Sequence, residues 1–385
     1  MHETILFVDD DPNLLQGLQR MLRPKLDEWE MTFVSSGKLA LEAMGKTCFS
    51  VVVVDMRMPE MDGAELLSQI KVICPKSVRI ILSGQAELPT IMKVIGSTHQ
   101  YLAKPCDAEL LKITIERASQ LRQLMKNDAL EEFISQLFTL PAQSDLYDAV
   151  QKEIESKKPA IEKIIAAISC DMSMAAKVLQ LVNSAFFAPK QEVINVREAV
   201  RILGVELLRT LVCSHKIFSR SDSCDLGDLN LTMLNQHSIS IGNFAQRIAL
   251  LDELNTSSAE MCSSTGLLCD IGRLILALYA PEKYNQVVAL GDDTKEAINK
   301  EVELFGTTHA RVGGYLLGLW GLPNTIVQAA SHHHELDAVK APEFSILAAI
   351  QAAEELALPT DSANHEHLEN ITELTAVYKK LRNRD

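Results

Sequence analysis

The sequence has little positive charge and no long apolar run. Its 37 basic residues are outnumbered by 51 acidic ones, which gives a net charge of −14. Such an acidic chain argues against the cationic surface that nucleic-acid phosphates require. No run of 18 apolar residues is present, so no transmembrane helix is expected, and the N-terminus lacks the pattern of a secretory leader. These absences predict a cytoplasmic protein that binds neither nucleic acid nor membrane.

The eight cysteines are scattered, and no two of them form a CxxC pair. Scattered thiols in a chain of this size are typical of a reduced, cytoplasmic protein. Cys48, Cys74 and Cys213 lie among apolar residues, so we expect them to fill the core.

A length of 385 residues, 47% of them hydrophobic, predicts two or three domains with a substantial core. In the N-terminal third, short apolar runs such as Val51–Val54 predict buried parallel strands. We expect a last helix of this region to begin after Asp107, a good N-cap residue. The expected strands lie near residues 4–8, 30–34, 51–55, 79–83 and 100–103.

Polar side chains stand where four of these strands end. Val51–Val54 runs into Asp55, and Ile5–Val8 runs into an acidic group that begins with Asp9 and Asp10. The two later strands end at Ser83 and Lys104. The carboxyl ends of parallel strands form the ligand-binding edge of an open α/β sheet. Carboxylates there suit Mg²⁺, and a lysine can pair with a phosphoryl oxygen.

This set of residues resembles the receiver domain of two-component response regulators over residues 1–122. The resemblance implies a doubly wound α/β fold, a five-stranded parallel sheet with helices on both faces. The resemblance implies that Asp55 accepts a phosphoryl group from a sensor histidine kinase or a phosphotransfer protein. It also implies that Ser83 and Lys104 sense that group and that Tyr101 is the switch aromatic. The implied Mg²⁺ ligands are Asp9, Asp10 as the direct ligand, Asp55 and the backbone carbonyl of Arg57.

The last receiver helix has no Pro or Gly before Pro141, and its apolar spacing continues to Leu137. Residues 107–140 therefore form a linking region that could carry a conformational change between domains. Two arrangements remain open: one continuous helix, or two helices with a bend at residues 126–128.

From residue 130 to 357 the apolar spacing is helical throughout, which predicts an all-α bundle of roughly ten to thirteen helices. Residues 358–385 also show helical spacing and predict a terminal helix. Either the bundle or a second protomer of a homodimer could receive it. The expected fold is therefore an α/β domain followed by an all-α domain.

Three stretches of this helical region are distinctive: Asp171–Phe187, Ala199–Gly204, and Phe305–Pro323 with the following His332-His333-His334. Together they resemble the HDOD domain, a relative of the HD-type metal phosphohydrolases. The resemblance covers residues 130–357 and implies a helical output module that is usually not an enzyme.

Asn183 and Ser184 with Phe186 and Phe187 are a candidate surface for a partner protein. Core packing between helices is the alternative for these aromatic residues.

HD phosphohydrolases hold metal ions with histidines, a His-Asp dyad and a late acid, and this chain has residues at most of the matching places. Cysteine replaces the dyad histidine, Arg273 replaces the usual lysine, and no Gly-Tyr-Pro follows the histidines. Thiolate binds Zn²⁺ well but matches Mg²⁺ poorly. The implied site, a possible second metal centre, consists of His237, Cys269, Asp270, His309, His333, His334 and Glu354.

The function predicted from the resemblance is a response regulator, not an enzyme, in which phosphorylation of Asp55 alters a helical module that binds and regulates a partner protein. Family context suggests cyclic-di-GMP turnover as the setting. Two alternatives stay open: a metal-dependent phosphohydrolase with a cysteine in its site, and a module that binds a dinucleotide without cleaving it.

Overall fold

The computed structural model describes residues 3–84, 96–122, 124–184, 187, 192–251, 256–291, 294–335 and 345–357. The terminal helix expected at 358–385 and the candidate surface residue Phe186 lie outside these ranges. Internal contacts divide the chain into two compact units, which are described separately. The first contains residues 1–138, 180–191 and 318–321, and the second contains residues 139–179, 192–317 and 322–385.

The first unit is built on a five-stranded sheet in which every strand pairs in parallel, in the order β2-β1-β3-β4-β5. Val51 to Val54 of the central strand are at most 1% exposed. An apolar run of this kind suits a parallel strand that is covered on both faces. The predicted doubly wound sheet is confirmed. Its strands are β1 (Glu3–Val8), β2 (Trp29–Val34), β3 (Val51–Asp55), β4 (Val78–Ser83) and β5 (Gln100–Ala103).

Helices in this unit begin where a side-chain oxygen caps the first turn. Asp11, Ser36 and Asp62 each accept a hydrogen bond from a backbone N–H two or three residues later, which satisfies donors that the helix leaves unpaired. The described helices are α1 (Pro12–Met21), α2 (Gly37–Met44), α3 (Gly63–Ile73) and α4 (Ala108–Arg122), with a 3-10 turn at Arg23–Lys25.

The linking region consists of two helices. After α4 ends at Arg122, a second helix, α5 (Asp128–Gln136), begins. Asn127 has extended backbone angles, and its Oδ1 accepts a hydrogen bond from the N–H of Leu130 at 3.2 Å. An asparagine N-cap starts a new helix. The chain therefore has two helices that meet at residues 126–128, and the alternative of a single continuous helix is wrong.

The second unit is helical, apart from a two-residue parallel pair between β6 (Pro141–Ala142) and β7 (Ser219–Arg220) and a 3-10 turn at Ser221–Ser223. Thirteen helices begin at or after residue 128 in the described ranges, which agrees with the predicted number. Those after α5 are α6 (Ser144–Glu155), α7 (Ile161–Ile168), α8 (Met172–Val182), α9 (Val196–His215), α10 (Leu231–Leu251), α11 (Thr256–Cys269), α12 (Ile271–Tyr279), α13 (Pro281–Val288), α14 (Lys295–Phe305), α15 (His309–Leu319), α16 (Asn324–His332) and α17 (Ile346–Ala357).

Glycines allow the central helices of this unit to approach closely. A Cβ atom on Gly266 would lie 2.5 Å from the Cα of Gly242, so α10 and α11 touch through their backbones. A Cβ on Gly272 would lie 1.9 Å from the backbone oxygen of His309, which brings α12 against the start of α15. These contacts leave no room for larger side chains.

One described stretch, Ser258–Tyr279, is long and apolar enough to cross a membrane by length and composition. Of its most apolar window, 83% is buried inside the folded unit. The same composition is usual for core helices.

Two of the three cysteines that were expected to fill the core, Cys48 and Cys213, are exposed. Cys48 and Cys74 form a disulfide bond, and Cys48 is exposed rather than part of the core. Cys213 is exposed as well. The apolar neighbours of Cys48 and Cys213 in the sequence did not indicate burial, because each of these side chains lies on the outward side of its segment.

Candidate functional site

The first candidate site lies at the carboxyl edge of the parallel sheet. Asp9 follows β1, Asp55 ends β3, Ser83 ends β4 and Lys104 follows β5. Since parallel strands end at the same edge, the fold brings the four predicted side chains to one region. Asp9 and Asp55 are 2% and 7% exposed, whereas Asp10 points to solvent.

Lys104 joins the two buried carboxylates. Its Nζ lies 2.5 Å from Oδ2 of Asp9 and 2.5 Å from Oδ1 of Asp55. The remaining oxygens accept backbone hydrogen bonds at 3.0 Å, Asp9 from the N–H of Asp11 and Asp55 from the N–H of Arg57. Carboxylate oxygens of Asp9, Asp10 and Asp55 come within 4.8 Å of one another, a hard-oxygen group that fits Mg²⁺.

The pKa values in this group reflect burial and pairing. Burial raises the pKa of Asp55 above its usual value, and the neighbouring Lys104 opposes that rise. Burial lowers the pKa of Lys104, but its hydrogen bonds with Asp55 and Asp9 outweigh burial, so the net pKa is raised. Lys104 therefore stays charged and favours the ionised form of Asp55.

Ser83 and Tyr101 lie beside this group and are less directly engaged. Ser83 is buried, and its hydroxyl donates to the backbone oxygen of Gly84 at 3.1 Å. Tyr101 is 7% exposed and belongs to the apolar core under the sheet, and its burial raises the pKa of the phenol. The structure shows Arg57 as a backbone donor to Asp55; the predicted role of its carbonyl stays a prediction.

The second candidate site lies within the helical unit, where all seven predicted residues converge. Asp270 stands between α11 and α12, and the other residues come from the ends or faces of five segments. The contributing positions are His237 on α10, Cys269 at the end of α11, His309 at the start of α15, His333 and His334 after α16, and Glu354 on α17.

Three imidazoles and a carboxylate form one half of this site. Nε2 of His309 lies 3.0 Å from Nε2 of His334 and 3.3 Å from Nε2 of His333. Oδ1 of Asp270 lies 3.5 Å from His309 Nε2 and 3.7 Å from His333 Nε2. Four ligands placed tetrahedrally about 2.05 Å from an ion would be separated by about 3.3 Å. The four separations above, from 3.0 to 3.7 Å, lie around that value.

The other oxygen of Asp270 faces a second group of donors. Oδ2 lies 3.6 Å from Nε2 of His237 and 3.9 Å from Sγ of Cys269. Glu354 approaches from α17, with Oε1 3.6 Å from Cys269 Sγ and Oε2 3.8 Å from His237 Nε2. Asp270 therefore offers one oxygen to the three-histidine group and one to the cysteine group. A thiol, imidazoles and carboxylates form a donor set that fits Zn²⁺.

Glu301 belongs to this site and was missed. Its carboxylate lies 2.9 Å from Nδ1 of His309 and accepts the His309 backbone N–H at 2.7 Å. This contact fixes the ring so that Nε2 faces Asp270. Ala297, Glu301 and Phe305 recur every four residues on the buried face of α14. An acid in the middle of an apolar helix face was the available clue.

Glu301 also sets the charge of His309. Burial lowers the pKa of His309, but the Glu301 carboxylate outweighs it, and the net pKa is raised. His333 is held separately, with Nδ1 2.8 Å from the backbone oxygen of Ala330. Both rings are therefore oriented by contacts on the side away from the cluster.

The candidate partner surface is described only in part, and Phe187 in it is partly exposed. Ser184 is buried and Asn183 is partly buried, and Phe186 lies outside the described residues. In the described part of that segment, core packing accounts for Ser184.

Comparisons with known proteins agree with this architecture. Residues 140–336 match the HDOD domain family, and residues 5–116 match the response regulator receiver domain family. The transcriptional regulatory protein ZraR of Escherichia coli (strain K12) is 28% identical over 176 residues, which are 46% of this chain and 36% of ZraR. An uncharacterized protein of Treponema pallidum (strain Nichols) is 28% identical over 192 residues, 49% of this chain and 36% of that protein. The chain thus spans about a third of the length of these relatives.

Two solved structures resemble the chain in fold. A virulence factor from Campylobacter jejuni has a TM-score of 0.52 and 19% identity, and covers 66% of this chain and 92% of its own. The MmoQ response regulator from Methylococcus capsulatus has a TM-score of 0.48 and 20% identity, and the match covers 64% of this chain and 98% of that one. The likeness to the Campylobacter jejuni protein concerns the fold alone, and no argument rests on the likeness to MmoQ.

Proposed function

The chain belongs to the HDOD domain family and carries a response regulator receiver domain before it, and from this premise we propose that phosphorylation of Asp55 controls a helical module that binds a partner protein. The observation that carries the proposal is the bridge from Lys104 to Asp9 and Asp55 at the sheet edge. A sensor histidine kinase or a phosphotransfer protein is the proposed donor, which places the reaction in the cytoplasm.

In the proposed step, an Asp55 oxygen forms a bond to phosphorus while the N–P bond of a phosphohistidine breaks. The electron pair of that bond stays on the imidazole nitrogen. Lys104 keeps Asp55 ionised beforehand and can then pair with a phosphoryl oxygen. Ser83, at the end of the neighbouring strand β4, can turn its hydroxyl from Gly84 towards the same group. Asp9, Asp10 and Asp55, with the Arg57 carbonyl, would hold Mg²⁺, which neutralises phosphoryl charge when bound.

Labelling of the full chain by radioactive acetyl phosphate in the presence of Mg²⁺ tests the proposed acceptor. The wild type and an exposed control, Asp107→Asn, should take up label, and Asp55→Asn should not. Label that persists in Asp55→Asn would contradict the assignment of Asp55.

The proposed output is regulation of a partner protein, and the family context points to enzymes that make or hydrolyse cyclic-di-GMP. A net charge of −14 and the receiver in front of a helical module support a protein partner over nucleic acid. Cyclase and phosphodiesterase activities should be measured with the phosphorylated chain and with Asp55→Asn. A change of activity that requires Asp55 supports regulation, and equal activities with both forms would argue against this partner class.

A second candidate function, metal-dependent phosphohydrolysis, is favoured by the ligand spacing around Asp270. The three-histidine group and Asp270, with Cys269, His237 and Glu354, would hold the ion, which could supply a hydroxide nucleophile when bound. Elemental mass spectrometry of the full chain, compared with Cys269→Ser and His309→Ala, tests binding. Phosphodiesterase assays separate hydrolysis from binding, and calorimetry with cyclic-di-GMP separates both from a module that holds the dinucleotide uncleaved.

A further inference from the structure

Cys48 and Cys74 form the one disulfide among the described residues. Their Cα atoms are 5.8 Å apart, within the normal range for this bond. Cys48 lies in the loop before β3 and is exposed, whereas Cys74 ends α3 and is 3% exposed. A small thiol or disulfide in solution can therefore reach Cys48.

The bond lies at the opposite edge of the sheet from Asp55. It connects the loop that leads into β3 with the end of α3, 26 residues later. Ser77 reinforces the same connection, because its hydroxyl donates to the backbone oxygen of Phe49 at 2.7 Å and its N–H donates to the Cys74 oxygen at 3.0 Å. The disulfide thus anchors the loop at residues 74–77.

That loop holds Arg79, which in turn holds the linking helix α5. The guanidinium of Arg79, 2% exposed, donates through Nη1 to the backbone oxygens of Pro75 at 2.9 Å and Ser77 at 3.2 Å. Through Nη2 it donates to the oxygen of Ser135, near the end of α5, at 2.7 Å. The Arg79 Nε–H also donates to the backbone oxygen of Ser97 at 2.7 Å. Because Pro75 and Ser77 hold Nη1, a change in the shape of the loop would shift this buried guanidinium.

The same loop also contacts the start of α5. Nζ of Lys76 lies 2.6 Å from Asp128 and 3.6 Å from Glu131. Both ends of the helix therefore rest on residues 75–79, directly after Cys74. The shape of this loop decides how firmly α5 is docked.

We propose that Cys48 and Cys74 are a reversible thiol–disulfide pair whose oxidation secures the docking of the linking helix on the receiver. The oxidant is a low-molecular-weight disulfide. The Cys48 thiolate attacks it, forms a mixed disulfide and releases one small thiol. The Cys74 thiolate then attacks the Cys48 sulfur and releases the second small thiol, so two protein thiols become one disulfide and two small thiols form. In a reducing cytoplasm a bond of this kind is transient and regulatory.

The proposal is tested on the full chain after treatment with oxidised glutathione or with dithiothreitol. Alkylation under denaturing conditions should modify the six remaining cysteines of the oxidised protein and all eight after reduction. Peptide mapping should place the bond between Cys48 and Cys74. Alkylation of eight cysteines in the oxidised sample would overturn the site.

Hydrogen exchange of residues 128–136 tests the regulation. Reduction should accelerate exchange of these amides by about tenfold, because the loop beneath them loses its covalent anchor. Cys48→Ser should match the reduced wild type in both conditions, and the exposed control Cys213→Ser should respond like the wild type. Equal exchange of oxidised and reduced wild type would overturn the proposed effect on docking, and this comparison needs no variant to fold.

Discussion

Nζ of Lys104 lies 2.5 Å from Oδ1 of Asp55, inside the sheet edge where both residues were expected. The acid that accepts the phosphoryl group in the proposed reaction is therefore already paired with a cation. Burial favours the protonated acid, and this pair favours the carboxylate. The pair therefore offsets part of the effect of burial on the nucleophilic oxygen.

Lys104→Met should slow phosphorylation of Asp55 by acetyl phosphate by at least about tenfold, since burial then acts on the acid without its cation. The apparent pKa in the pH–rate profile should move upward. The control, Lys112→Met, removes a lysine that pairs with Glu109 at the surface and should leave the rate unchanged. A normal rate and profile in Lys104→Met would rule out this role.

Removal of one ring from the histidine cluster should abolish metal retention in the helical unit. His333 is 1% exposed and faces Asp270, whereas its neighbour His332 contacts Glu335 at the surface. If the chain purifies with a stoichiometric ion, His333→Ala should lose it and His332→Ala should retain it, as elemental mass spectrometry would show. Equal metal content in the two variants would place the ion elsewhere.

Gly272→Ala should destabilise the chain by at least about 3 kcal/mol, because the new methyl group would lie 1.9 Å from the His309 oxygen. Relief of that overlap must shift the start of α15 and hence His309. The matched control is Gly17→Ala in α1, where a Cβ meets nothing within 4 Å and helix propensity predicts a gain of up to about 1 kcal/mol. Chemical denaturation measures the unfolding free energy of both variants. An unchanged unfolding free energy for Gly272→Ala would disprove the close contact.

Asp171 should make stability depend on pH. It is fully buried, and burial raises its pKa from 3.8 to about 6, against hydrogen bonds from the Gln143 and Met174 N–H groups and Asn235. Between these two values the folded chain binds more protons than the unfolded chain. Its contribution to stability is therefore complete below pH 3.8 and is lost as pH rises through about 6.

In Asp171→Asn this pH-dependent contribution should vanish. The difference in unfolding free energy between wild type and variant should change by roughly 3 kcal/mol from pH 4 to pH 7. Urea titrations at several pH values measure it, with Asp107→Asn as an exposed control. Parallel curves for wild type and Asp171→Asn would show that the carboxyl titrates normally.

Local sequence was sufficient for much of this protein. Apolar strands that end in Asp55, Ser83 and Lys104 specified both the sheet and the edge where those residues meet, because parallel strands all end on one side. Helical spacing specified the second unit, and motif order specified the seven residues around Asp270. The strands and helices follow from short-range periodicity, which a sequence displays directly, whereas the seven residues follow from the resemblance to HD phosphohydrolases.

Only the tertiary structure decided which distant groups touch. It placed Glu301 behind His309, joined Cys48 to Cys74, turned the two oxygens of Asp270 towards different donors, and set Arg79 against Ser135. Each of these contacts depends on how separate elements pack, and side-chain direction across a long sequence separation leaves no periodic trace. The break at Asn127 was also decided by packing and capping, because the apolar spacing suited one helix as well as two.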